Sequence, residues 1–134
     1  MKQHFSAGMI EKLDDHIILT VLDTDQEISK EVVDQMSNTK NSLIGNNRYG
    51  NIVDISKGFI NVSEKVKMYS AVDPEINKNK IANAVIVENF GQRLWVDLCI
   101  KLYKPSVPTK AFSNLTSAKN WIEKILKKEK AKIN

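Results

Sequence analysis

Three short runs rich in Ile, Val and Leu, at residues 16–22, 49–55 and 82–88, are separated by stretches whose apolar residues recur with a helical period. Strands parted by whole helices cannot close as hairpins, so they pair in parallel through right-handed crossovers. A further run at 9–13 precedes the first, with Asp14-Asp15 between them. Aspartates favour a tight turn there, so this pair is expected to form an antiparallel hairpin. Ile28, Val32, Val33, Met36, Leu43 and Ile44 share one helical arc, which Gly45-Asn46-Asn47 ends. A second helix is expected over 63–72 with Val66, Tyr69 and Val72 inward, stopped by Asp73-Pro74. A third spans 90–103, and Pro105 and Pro108 bound the loop after it. A strand at 110–113 and a last helix from Ser117 complete the chain, with Ala118, Trp121, Ile122, Ile125 and Leu126 on one face. The order β-β-α-β-α-β-α-β-α predicts a single-domain α/β fold with a mixed β-sheet over residues 1–128, and a basic C-terminal tail over 129–134.

Composition narrows the class further. At 134 residues, 42% hydrophobic and 27% charged, the chain is long enough and apolar enough for one core. One cysteine and two histidines rule out a disulfide scaffold and a zinc finger, which points to a reducing compartment. No apolar run reaches signal-peptide or membrane-span length, so a cytoplasmic protein without a membrane span is expected. Residues 1–89 carry 10 Lys/Arg against 13 Asp/Glu, whereas residues 90–134 carry 10 against 3. Much of that positive excess is Lys124, Lys127, Lys128, Lys130 and Lys132, at the end of a helix, where cations suit the dipole. It reads as a solvated face, and nucleic acid is not the expected partner.

Motif chemistry is sparse. The chain holds no G-x-G-x-x-G, no phosphate loop, no H-E-x-x-H and no G-x-S-x-G. Asp14, Asp15 and His16 are consecutive at a turn and diverge, and the acidic run at 23–34 lacks the glycine and final glutamate of a calcium loop. No catalytic residue, metal or cofactor is therefore assigned, and the chain is not expected to be an enzyme.

The third helix is the unusual element. Leu94, Trp95, Val96, Leu98, Cys99, Ile100, Leu102 and Tyr103 spread over roughly 240° of its circumference, more than the ~100° stripe that packing on a sheet requires. Trp95, Val96, Ile100 and Tyr103 are expected to meet a neighbouring helix, a second subunit or an apolar ligand. Cys99 reads as an inert core thiol, since reactive thiolates sit in electropositive, partly exposed settings.

The stretch VDISKGFINVSEKV, followed by ANAVIVENFGQRLWVDLCIKLYKPSVPTKAFSNLTSAKNWIEKIL, resembles the SpoIIAA-like STAS domains, in particular a branch also compared with the CRAL-TRIO lipid-transfer proteins. Asp54-Ile55-Ser56 resembles the family's strand-end triplet, and Ser63 falls at its phosphoacceptor position, with Val62 before it and Glu64-Lys65 after it. The resemblance implies a STAS-like regulatory or protein-interaction module, phosphoserine-regulated through Ser63 and acting on a protein partner or as a homodimer. The CRAL-TRIO comparison implies an alternative behind it, a carrier or sensor of a lipid or other apolar small molecule. In a parallel sheet the carboxyl edge of the strands is where ligands meet helix N-termini, and that edge carries Asp54, Ser56, Asn61, Ser63, Asn89 and Asn114. Ser63 is also a favourable helix N-cap on residue type alone.

Overall fold

The computed structural model describes residues 2–57 and 60–133, and among these the chain forms six strands and four helices. Strands β1 (Lys2–Phe5), β2 (Gly8–Asp14) and β3 (Ile17–Leu22) precede α1 (Lys30–Ile44). They are followed by β4 (Tyr49–Asp54), α2 (Glu64–Val72), β5 (Lys80–Ile86), α3 (Phe90–Tyr103), β6 (Thr109–Phe112) and α4 (Leu115–Ile133). All six strands lie side by side in chain order. β1, β2 and β3 pair antiparallel, and β3, β4, β5 and β6 pair parallel.

The expected order lacked β1. Its sequence, KQHF, has no apolar alternation, because it is an edge strand held by backbone pairing to β2 with its side chains largely in solvent. Gly8 permits the return from β1, since a Cβ there would lie 1.8 Å from the Val21 carbonyl oxygen. The β2–β3 turn forms at Asp14-Asp15, where Asp14 Oδ1 accepts a 2.8 Å hydrogen bond from the His16 backbone N–H. At the other end, α4 runs on to Ile133, so the basic residues from 129 that were expected as a tail continue a helix. Arg48 holds that helix to the start of β4 through a 2.9 Å ion pair with Glu129.

Three successive right-handed crossovers that step the same way across a sheet place their helices on one face. Accordingly α1, α2 and α3 share one side, where α2 contacts both of the others. α4 covers the opposite side, packing on β4, β5 and β6. Its Ala118 and Ile122 meet Ile17, Ile52, Ala84 and Ile86 in a fully apolar layer. Gly50 makes this close packing possible, because a Cβ at that position would come within 2.2 Å of Ile122.

Candidate functional site

On the α1–α3 side the strands present a different surface. Side chains alternate along a strand, so Asn51, Val53 and Ile55 of the β4 segment face one way, as do Asn83, Val85 and Val87 of the β5 segment. Register places Asn51 beside Asn83 and Asn83 beside Thr109. The result is a polar row across the sheet. Asn51 Nδ2 donates to Asn83 Oδ1 at 3.2 Å, and Thr20 Oγ1 donates to Asn51 Oδ1 at 3.5 Å.

Above this row, between the sheet and the three helices, lies a hollow of about 250 Å3. Its walls are mainly apolar, with Leu22, Ile28, Val33 and Met36 on one side and Val66, Val96 and Ile100 on the other. Three lysines also line it, Lys40, Lys67 and Lys80, and two of them are buried. Lys40 of α1 and Lys80 at the start of β5 are only 5% and 8% exposed. Burial pushes the Lys40 ammonium well below its ordinary pKa, with the Lys80 charge adding to the effect, and burial alone takes Lys80 down to about 8. A second hollow of about 370 Å3 sits at the carboxyl edge and shares Ile55, Ile60, Val62, Lys67 and Trp95 with the first.

The α2–α3 seam closes one wall. Lys67 lies 5.4 Å from the centre of the Trp95 ring and 5.8 Å from that of Tyr103, within cation–π range of both. Ser106, after α3, bonds the last turn of α2 through its N–H to the Ala71 carbonyl at 3.0 Å. On the far side Arg93 fixes α3 to β6 with bonds to the Ala111 carbonyl (3.2 Å) and Ser113 Oγ (3.3 Å).

Of the residues singled out on α3, Trp95, Val96, Cys99, Ile100 and Tyr103 all line the hollow. Cys99 is half-buried, and burial pushes its thiol pKa up, although the Lys67 charge pulls the other way. The surplus apolar surface of α3 lies elsewhere. Phe90, Leu94, Leu98 and Leu102, spaced four apart, form an exposed stripe along the outer face, with Phe90 73% and Leu98 54% exposed. Val72, expected inward, is exposed at the end of α2.

The strand-end residues are spread out and engaged locally. Asp54 Oδ1 accepts bonds from the Ser56 N–H (2.8 Å) and hydroxyl (2.5 Å), closing a turn. Ser63 caps α2, its Oγ accepting from the Val66 N–H at 3.2 Å. Asn89 caps α3 through the Gln92 N–H at 2.9 Å, and Asn114 accepts from the Ser117 N–H at 2.9 Å at the start of α4. The Asn61 carbonyl accepts from the Ile28 N–H at 2.8 Å, and its residue borders the second hollow. Among the described residues no group of three His, Cys, Asp or Glu could hold a metal ion, and no helix is long and apolar enough to cross a membrane.

Lys40, Lys80, Asn51 and Asn83 were missed from the sequence, though two signals were present. Lys40 follows Val33 by seven and precedes Ile44 by four, which puts it on the buried stripe of α1. The repeated pattern Asn-x-Val in β4 and β5 places two amides at one level of strands that otherwise read as buried.

One family model matches residues 11–126. The chain belongs to the DUF7793 family, a domain of unknown function. No curated protein matches this DUF7793 domain. Among solved structures it is similar to an uncharacterised protein of the DUF3478 family, with a SpoIIAA-like fold, from Shewanella loihica PV-4. The two share 15% identity over 84% of this chain and 90% of the other, with a TM-score of 0.51. The DUF7793 domain thus has a SpoIIAA-like fold, a mixed six-stranded sheet with four helices among the described residues.

Proposed function

We propose that this domain is a non-enzymatic STAS-like binding module that holds an apolar small molecule between its sheet and α1–α3, as a carrier or sensor. The observation that carries the reading is the hollow itself, about 250 Å3 and bounded chiefly by aliphatic and aromatic side chains in a fold whose opposite face is packed solid. That volume is slightly under the ~300–1,000 Å3 of most small-molecule sites, so the occupant is short. Among the described residues no Asp, Glu or His lines it, which favours binding over acid–base catalysis. The test is an amide NMR titration of the purified domain with octanol. Shifts confined to residues around the hollow, lost when Ile100→Trp fills it, support the reading; uniform or absent shifts overturn it.

A second reading rests on a separate observation, the outer stripe of α3. Four large apolar side chains at helical spacing form the kind of face that one helix offers to another, and a second copy presenting the same stripe is a self-complementary partner. Light scattering across a concentration series tests it, with a dimer expected.

A further inference from the structure

From the two buried lysines we infer that the hollow is built for an anionic amphiphile, a molecule with one compact acidic headgroup and a short apolar tail. The inference rests on the small-molecule reading above and names the class of ligand.

Lysines are almost never fully buried unless paired. Lys40 and Lys80 come from separate elements, α1 and β5, yet both are more than nine-tenths buried and both line the same space. Among the described residues neither ammonium group has an ion pair or a hydrogen bond. Each therefore meets the hollow with its donors unused. Two cations brought together without a counter-ion repel, and a fold that keeps such a pair gains nothing from it in stability. An acidic headgroup supplies the missing charge.

The surroundings fit the same occupant. Asn83 spends its carbonyl oxygen on Asn51, and its amide nitrogen has no acceptor among the described residues, which leaves it free to donate to an anion. Lys40, Lys80, Asn51, Asn83 and Thr109 gather toward the amino-terminal ends of β4, β5 and β6. Val53, Val85 and Ile55 continue the same strand faces toward the carboxyl ends. The two buried lysines and the amides thus lie toward the amino ends of the strands, whereas the strand faces turn aliphatic toward the carboxyl ends, where the Lys67 ammonium lies over the Trp95 and Tyr103 rings. Headgroup and tail are matched in one direction. Burial lowers both lysine pKa values, and a bound anion favours the protonated forms.

Four ligands with one tail and different heads separate the alternatives: octanoate, octyl phosphate, octanol and octylammonium, each titrated by calorimetry into the full chain. Octanoate, octyl phosphate or both are expected to bind about tenfold or more tighter than octanol, as hydrogen bonds to a charged group imply, and octylammonium most weakly. Which of the two anions is preferred tells a carboxylate from a phosphate headgroup. Lys40→Met and Lys80→Met should each reduce the preference for the anions over octanol, with Met keeping the length of the side chain. Neither variant should melt below the parent, since an unpaired buried charge has been taken away. Equal affinity for octanol and both anions, or an unchanged preference in the lysine variants, overturns the inference and leaves the apolar hollow standing. Failure of all four ligands overturns the inference and the proposed function together.

Discussion

The two faces of the sheet are built on opposite plans. Against α4, Ile17, Ile52, Ala84 and Ile86 close on Ala118 and Ile122, and Gly50 has given up its side chain so that Ile122 can sit against the strand. Against α1–α3, the same strands carry Thr20, Asn51 and Asn83, two lysines intrude, and space is left open. Close packing maximises dispersion and apolar burial, whereas a void lined by unpaired cations sacrifices both. One face supplies stability and the other tolerates its loss, a division expected where a binding site has been set into a scaffold.

The sharpest way to break that comparison is to cut the packed face. Ile122→Ala should lower unfolding free energy by about 2–5 kcal/mol in denaturant titrations, the cost of a fully buried aliphatic with little room to relax. Ile100→Ala, beside the hollow, should cost about 1 kcal/mol or less, because part of its surroundings is already empty. Equal costs would dissolve the distinction between the faces.

Adjacent residues on β5 sharpen it further. Ala84 faces α4 and Val85 faces the hollow. Adding methylenes to a filled layer forces side chains off their rotamers, so Ala84→Leu should destabilise by about 1–3 kcal/mol. Val85→Leu adds bulk one residue later, into open space, and should be near neutral in stability while weakening ligand binding. The melting temperatures of the two variants read this directly.

These contrasts also explain which parts were legible in the sequence. Apolar periodicity reports burial, so the parallel core, the hairpin and the bounds of α3 at Phe90 and Tyr103 could be read from it. β1 could not, because KQHF is held by main-chain pairing that leaves no trace in side-chain type. The apolar wall of the site was visible as the inner arc of α3. Its polar end was not, since Lys40, Lys80, Asn51 and Asn83 are types that normally mark solvent, and only tertiary closure turns their positions inward. Ser63 illustrates the reverse case: its exposed hydroxyl serves α2 as a cap, a role that residue type predicts as readily as modification.

Titration distinguishes the faces through the two buried lysines. Lys80 is held near 8 in the folded protein against 10.5 ordinarily, so between those values the unfolded chain binds a proton that the folded chain has shed. Stability therefore rises with pH across that window, and Lys40, shifted in the same direction, adds to the rise. Tyr49 acts oppositely. Burial pushes it up to about 12 from 10, so above pH 10 the unfolded chain loses a proton that the folded one keeps, and stability falls. The Lys80 share of the gain falls between pH 8 and 10, and Lys80→Met should reduce the rise there while raising stability at neutral pH. A Lys80→Met protein that melts lower at pH 7 would mean that the lysine has a structural partner and that the face is not strained.

The smallest effect on folding is expected on the outside of α3. Leu98 is more than half exposed, so Leu98→Glu removes little burial and should change stability by no more than about 0.5 kcal/mol. Its effect on association should be far larger. A charge at the middle of the stripe formed by Phe90, Leu94, Leu98 and Leu102 would lie close to its own symmetry mate in a two-fold dimer, where like charges meet with apolar surface around them. Sedimentation of parent and variant at matched concentrations measures it, with the parent dimeric and the variant monomeric. Since the stripe and the hollow occupy opposite sides of the same helix, the monomeric variant should retain its affinity for octanoate. Loss of both together would show that α3 is positioned by its partner copy, and that the open face of the sheet depends on assembly.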